Sequence, residues 1–326
     1  MRRFHLSRDR PPVELLRSTV RREQTEEYDV IVIGGGAAGL SAAVVLGRAR
    51  RRVLLCDAGA QRNSCAEKMH GFLSRDGESP GELLKICKEQ LAQYPSVGFE
   101  ASVVQAVEKS SSGFRVELTS GTAPVADLLL LATGMADALP EIDGLREAWG
   151  RSAFVCPYCD GWEIQDRPIA VSGGGVRSAI DLAQELYGWT RKITVCGHTE
   201  SLSTAQTTWL HASGVRVDAH PIRRIVHDNG HVRSVQLEGG DCIDCDAVFF
   251  SVPLKQGSDI AERLGCKMNG ARIEADDCNR TSVPGCFAAG DNVTHVHQVI
   301  VAAASGVRAA IAINDELVCR DVRQLV

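Results

Sequence analysis

Tyr28-Asp29-Val30-Ile31-Val32-Ile33-Gly34-Gly35-Gly36-Ala37-Ala38-Gly39 runs from an apolar stretch into a glycine cluster, and LSAAVVLGRA (40–49) continues it as an apolar helix. A buried strand, a tight turn and a helix are the elements of a dinucleotide-binding module. Asp57 closes the next apolar run, RRVLLCD (51–57), about twenty residues on, where such a module places the acid for a ribose hydroxyl. Gly34 permits the turn, Gly36 lets backbone approach a pyrophosphate, and Gly39 lets helix and strand close. A glycine-rich turn with no ligand is the alternative.

The pattern returns at Pro168-Ile169-Ala170-Val171, followed by Gly173-Gly174-Gly175, a helical VRSAIDLAQELYGW (176–189) and a strand, KITVC (192–196). Between the two copies, Asp127 to Leu131 reads as a buried strand running into Ala132-Thr133-Gly134, with Pro140 as a hinge beyond it. AVFFSVP (247–253) closes the second module, and the C-terminal part holds a strand, an Asp and a long small-residue helix that should return to the first module. The expected fold class is therefore α/β, with two Rossmann-like, three-layer dinucleotide-binding domains, the second inserted in the first. The expected boundaries are an arm over 1–27, a discontinuous first domain over 28–138 and 254–326, and an inserted domain over 139–253.

Composition narrows the function. With 326 residues, 44% hydrophobic and 24% charged, the chain can bury two cores. A formal charge of -5 supplies no basic field for nucleic acid or anionic membrane. The Arg-rich N-terminus lacks an apolar stretch behind it and no run has bilayer length, so the expectation is a cytoplasmic protein with no membrane partner. Twelve Cys dispersed through such a chain read as mostly reduced, buried thiols. Two pairs have CxxC spacing, Cys156/Cys159 and Cys242/Cys245, too far apart for a zinc ribbon, and no metal is expected.

Cys156-Pro157-Tyr158-Cys159 is the chemical candidate. Thiols at i and i+3 can close a small-ring disulfide, a helix opening there lowers a thiolate pKa, and Asp160 puts a carboxyl beside the pair for proton transfer. Two structural thiols are the plainer reading. Cys242 and Cys245 flank Ile243-Asp244 in a polar segment and read as bystanders.

With VIGGGAAGLSAA (32–43), LLATG (130–134), a CxxC followed by Asp-Gly, the second GGG and TSVPGCFAAGD (281–291) in this order, the chain resembles the low-molecular-weight thioredoxin reductases and their relatives over nearly everything after residue 27. The resemblance implies FAD as cofactor and a homodimer. It implies that Cys159 faces the flavin, Cys156 exchanges with substrate and Asp160 is the acid/base. Flavin contacts would come from Gly34, Gly36, Ala37, Ala38, Gly39 and Asp57 at the first turn, and from Val104, Ala132, Thr133 and Gly134 beside it. Gly290-Asp291 and Gln298-Val299 would hold the ribityl and ring.

One departure concerns direction. Reductases of this kind carry an Arg-rich signature after the second strand of the middle module for the 2'-phosphate of NADPH, whereas this chain reads Cys196-Gly197-His198-Thr199-Glu200-Ser201-Leu202. Glu200 would repel a phosphate, although Arg223 and Arg224 nearby and Ser178 in the glycine turn keep nucleotide binding open. DAGAQRN (57–63), Met69-His70-Gly71-Phe72 and CPYCDGWE (156–163) resemble the flavin dithiol oxidases of bacterial and fungal biosynthesis, of the holomycin, gliotoxin and romidepsin type. This implies Arg62, Asn63 and His70 along the FAD, a small-molecule dithiol as substrate, and O2 as final acceptor giving H2O2. The alternatives are an NAD(P)H- or ferredoxin-dependent thioredoxin reductase and a redox-sensing flavin-binding module. His295 and His297 read equally as proton acceptors or as polar residues at a helix entrance, and Phe72, Tyr158, Trp162 and Trp189 are aromatic candidates for pocket walls.

Overall fold

The computed structural model describes residues 27–175, 177–197 and 202–325; the expected arm, apart from Glu27, and His198 to Ser201 lie outside the described residues. Among these residues two large sheets carry the architecture, the first mixed, with its last two strands antiparallel, and the second parallel. The first has seven strands in the order Val97–Glu100, Val53–Cys56, Glu27–Ile33, Val125–Leu131, Gly113–Leu118 and Val104–Ser110, with Cys286–Ala288 pairing alongside Val125–Leu131. Glu27–Ile33 lies parallel between Val53–Cys56 and Val125–Leu131, and both its faces are covered, Val30 and Val32 entering one core cluster and Ile31 and Ile33 another. That position explains its uninterrupted Val-Ile run, since an interior parallel strand has no solvent face to reserve for polar residues.

The glycine turn that follows owes its sequence to close approach. Gly34 has φ +111°, and a Cβ there would come within 2.2 Å of the Ala132 carbonyl oxygen. At Gly39 a Cβ would meet the Gly34 carbonyl oxygen at 1.9 Å. Helix Ala37–Arg48 then packs across the C-terminal helix Val299–Gln324, where a Cβ on Gly306 would lie 2.0 Å from the Ala38 carbonyl oxygen. Small residues at this crossing bring the last helix back onto the first one, as the sequence pattern requires.

The second sheet is parallel throughout, in the order Arg216–Asp218, Ile193–Cys196, Ile169–Ser172, Ala247–Phe250 and Ala153–Phe154. Helix Ala179–Leu186 is shorter than the stretch 176–189 expected for it, because Ser178 caps its start by accepting from Asp181 N–H at 3.1 Å. A three-stranded antiparallel sheet, Ile222–Asp228, His231–Leu237 and Cys242–Asp244, covers the second unit. Between the two large sheets the chain crosses twice, and the crossings pair as an antiparallel ribbon, Met135–Asp137 against Leu254–Gln256. No helix among the described residues is long and apolar enough to cross a membrane.

Candidate active site

Cys156 and Cys159 form a disulfide with Cα atoms 5.3 Å apart at the start of a one-turn helix, Pro157–Asp160. The helix forms here because Pro157 sits at its first position with φ already suited, and Cys156 Sγ accepts from Cys159 N–H at 3.1 Å as a cap. Gly161 terminates it under the Trp189 ring, where a Cβ would approach ring atoms to 2.9 Å. Tyr158, between the two sulfurs in sequence, stands edge-on to Trp189 with ring centroids 5.6 Å apart and remains exposed, as does Trp162.

Both cysteines face a cavity of about 1080 Å³ that runs from the first glycine turn to the disulfide and takes walls from both units. The structure brings Asp160, Asp57, Arg62, Asn63, His70, Val104, Ala132, Thr133 and Gly134 to its walls. Gly34, Gly36, Ala37, Ala38, Gly290, Asp291, Gln298 and Val299 line it as well. Gly39 does not; it is spent on the approach of helix to strand. Trp189 and Trp162 are likewise outside the lining, while Tyr158 belongs to it.

Burial pushes the Asp160 carboxyl up to about 7, with Glu163 adding to the rise and His70 opposing it. His70 is not isolated along the cavity: its Nε2 lies 3.3 Å from Glu163 Oε1 and its Nδ1 3.5 Å from Asp76 Oδ1. Gln298, just ahead of the C-terminal helix, donates from its amide to Cys159 Sγ at 3.2 Å and lies 3.8 Å from Cys156 Sγ. Sequence reasoning did not find that contact with the sulfurs.

A second polar cluster sits under the same cavity. Arg62 forks onto Asp137, Nε to Oδ2 at 2.8 Å and Nη2 to Oδ1 at 2.5 Å, and approaches Asp291 at 3.9 Å. Its Nη1 also reaches His297 Nδ1 at 3.0 Å, while His297 Nε2 faces the Thr294 carbonyl oxygen at 3.1 Å. A guanidinium only donates and a carbonyl only accepts, so His297 is held as the neutral tautomer with its proton on Nε2. Burial lowers its pKa in the same sense and raises that of Asp291. His297 is therefore a fixed polar residue at the helix entrance. Asp137 was not singled out from sequence, since its only signal is a partner 75 residues away.

Cys242 and Cys245 are both free thiols. Cys242 is exposed, and Cys245 is buried in the second core with its thiol pushed up to about 12 by burial. Neither lines the cavity.

A dithiol/disulfide pair set in a cleft between two dinucleotide-type folds defines a disulfide oxidoreductase class. The pyridine nucleotide-disulphide oxidoreductase profile matches residues 28–306. "Thioredoxin reductase sirT" of Leptosphaeria maculans is 30% identical over 90% of this chain and 96% of its own. Among solved structures, an oxidoreductase from Agrobacterium tumefaciens is 37% identical with a TM-score of 0.83, covering 90% of this chain and 99% of that one. HlmI is 36% identical with a TM-score of 0.85, covering 92% and 95%. The chain belongs to the pyridine nucleotide-disulphide oxidoreductase family. It is a thioredoxin reductase-like flavin disulfide oxidoreductase with FAD as its cofactor.

The first glycine turn fits such a group. A Cβ on Gly36 would meet nothing within 4 Å, so the backbone there faces open cavity. Gly36 caps helix Ala37–Arg48 without a side-chain hydrogen bond, and the first turn holds no acid. The N–H groups of that turn are left for an anion, which the helix dipole favours. Asp57 accepts from Gly35 N–H at 3.1 Å and Gly59 N–H at 3.2 Å, fixing the turn next to it.

Proposed function

We propose that the protein is an FAD-dependent dithiol oxidase that closes an intramolecular disulfide in a small-molecule dithiol, with O2 reduced to H2O2. FAD would lie in the unit formed by 28–138 and 254–326, with its pyrophosphate on the turn from Gly34 to Gly39. The unit 139–253 would carry the dithiol pair without holding a nicotinamide nucleotide. The observation that carries this reading is the contrast between the two glycine turns. Where Gly36 leaves its helix end open, Ser178 fills the second one, and Asp181 adds a carboxylate in that first turn, so a pyrophosphate would meet a satisfied donor and a like charge. Arg177, the cation nearest that turn in sequence, has its backbone N–H bound to Ser251 Oγ and its guanidinium paired with Glu185.

In this mechanism a substrate thiol gives its proton to Asp160, and the thiolate attacks Cys156 Sγ, forming a mixed disulfide and releasing the Cys159 thiolate. Gln298 donates to Cys159 Sγ, an amide placed to favour that sulfur as an anion. The substrate's second thiol then attacks its own sulfur in the mixed disulfide, freeing Cys156. FAD, when bound, supplies the two-electron acceptor for the reduced pair and the route to oxygen. Tyr158, exposed and part of the cavity wall, offers apolar surface beside the sulfurs for a compact substrate.

A second reading, a thioredoxin reductase drawing on NAD(P)H, is supported by the thioredoxin reductase name of the Leptosphaeria maculans relative and by the pyridine-nucleotide family profile. Anaerobic mixing of the holoprotein with dithiothreitol, NADPH and NADH in turn separates the two, because the reagent that bleaches the flavin rapidly is the donor.

A further inference from the structure

We propose that Glu163, His70 and Asp76 form a proton path that empties Asp160 into solvent during turnover of the Cys156–Cys159 pair. The inference rests on the assignment of Cys156, Cys159 and Asp160 under the proposed function; it does not depend on which way electrons flow.

The chemistry requires such a path. A dithiol and the enzyme disulfide give a substrate disulfide and two enzyme thiolates, the substrate sulfurs being oxidised and Cys156 and Cys159 reduced. Two protons leave the substrate thiols in that exchange while the enzyme sulfurs stay thiolates, and they are taken up again only later in the cycle, when the final acceptor is reduced. Asp160 can hold one at a time, so it must be discharged between the two attacks.

Asp160 ends the helical turn that begins at Pro157, and Glu163 follows three residues on in the turns beyond it, close enough for its charge to act on Asp160. His70 comes from the loop after the first unit's second strand and lines the same cavity wall as Asp160. Its two ring nitrogens each face a carboxylate, Glu163 at 3.3 Å and Asp76 at 3.5 Å. An imidazole so placed can accept a proton on one nitrogen and release one from the other. The Glu163 side chain is 42% exposed and that of Asp76 66%, with His70 at 20% between them, so the series opens to solvent at both carboxylates. Asp76 is itself held by Gly71 N–H at 2.8 Å, which lowers its pKa and keeps it an acceptor. The titratable groups facing Asp160 are Glu163, His70 and the Cys65 thiol; those facing His70 are Glu163, Asp76 and Asp160. His70 thus has a carboxylate at each ring nitrogen and shares the cavity wall with Asp160.

The test is anaerobic stopped-flow reduction of the holoprotein's flavin by dithiothreitol, over the neutral pH range, for His70→Gln, Glu163→Gln and Asp76→Asn. His70→Gln is expected to slow reduction by roughly tenfold or more, on the scale of general acid–base effects, with the rate read per bound flavin. Added imidazole should restore much of the lost rate, which a purely structural role would not allow. His220→Gln is the control, since His220 makes a similar contact with Asp218 at 2.9 Å on the exposed surface and should leave the rate unaltered. A rate and pH profile for His70→Gln equal to the wild type would overturn the path, and so would a loss that imidazole does not recover. If Asp160→Asn also reduces at the wild-type rate, the fault lies in the assignment of Asp160 and not in the path alone.

Discussion

At the scale of single residues, Gly36 and Asp160 make the sharpest claims. Gly36 faces open cavity, so Gly36→Glu places a side chain and a negative charge where an anion is to bind at the helix start. The variant should fold yet purify colourless, and absorbance of the released flavin checks this. Asp160 has its carboxyl held at about 7 by burial. As proton acceptor it works ionised, so flavin reduction by a dithiol should rise with pH through about 7, and Asp160→Asn should flatten that rise. Stability runs the opposite way. Because the folded-state value lies above the unfolded one, the wild type loses stability as pH climbs from the unfolded value to about 7, and Asp160→Asn should lose less. Thermal melts of both proteins at pH values across that window, up to about 7, measure that difference. Among the thiols, Cys156→Ser and Cys159→Ser should abolish turnover with FAD retained, while Cys242→Ser and Cys245→Ala stay near wild type, since only the first pair faces the cavity.

At the scale of elements, the two strand–turn–helix units were legible because each obeys a local rule. An interior parallel strand is apolar throughout, and the glycines after it are forced by backbone approaches such as Gly39 to the Gly34 carbonyl. The CxxC turn was legible for a like reason, with Pro157 and the i, i+3 spacing both local. What local rules do not carry is pairing across the fold. Arg62 with Asp137 and His70 with Glu163 join loops to the crossing ribbon and to the CxxC turn, so each side chain alone reads as an ordinary surface polar residue. The resemblance brought Arg62 and His70 to the cavity without their partners. The helix after the second glycine turn starts later than its sequence pattern suggests, because Ser178 satisfies its end two residues into the expected span. The C-terminal helix adds a feature of its own. Ile311, Val318 and Val322 are exposed and share one face by their spacing of seven and four, a stripe suited to a second copy of the chain. The expected homodimer would use it, so Ile311→Asp with Val318→Asp should shift the sedimentation of the holoprotein from dimer to monomer, and an unchanged coefficient would place the interface elsewhere.

For the whole molecule, the question is which way electrons pass through two similar units. Each unit offers a glycine turn at a helix start, but in the second Ser178 takes the Asp181 N–H and Asp181 sets a carboxylate in the first turn, whereas the first unit has neither a side-chain cap nor an acid there. The segment Gly197 to Leu202, which lacks the arginines expected of a 2'-phosphate site, has only its two end residues, Gly197 and Leu202, within the described structure. If the second turn holds no nucleotide, NADPH should bleach the flavin slowly or not at all even at high concentration, and dithiothreitol should do so rapidly. In air the same dithiol should turn over and consume oxygen, releasing about one peroxide per disulfide, as two-electron transfer through one flavin requires. The unit carrying the CxxC pair would then need no rearrangement between half-reactions, because its sulfurs already line the cavity that begins at the first glycine turn. Oxygen-electrode and peroxide assays on the aerobic reaction, set beside the anaerobic traces, give the stoichiometry. Fast anaerobic reduction by NADPH, coupled to reduction of a thioredoxin, would reverse the direction while leaving the family, the cofactor and the Cys156–Cys159 disulfide in place.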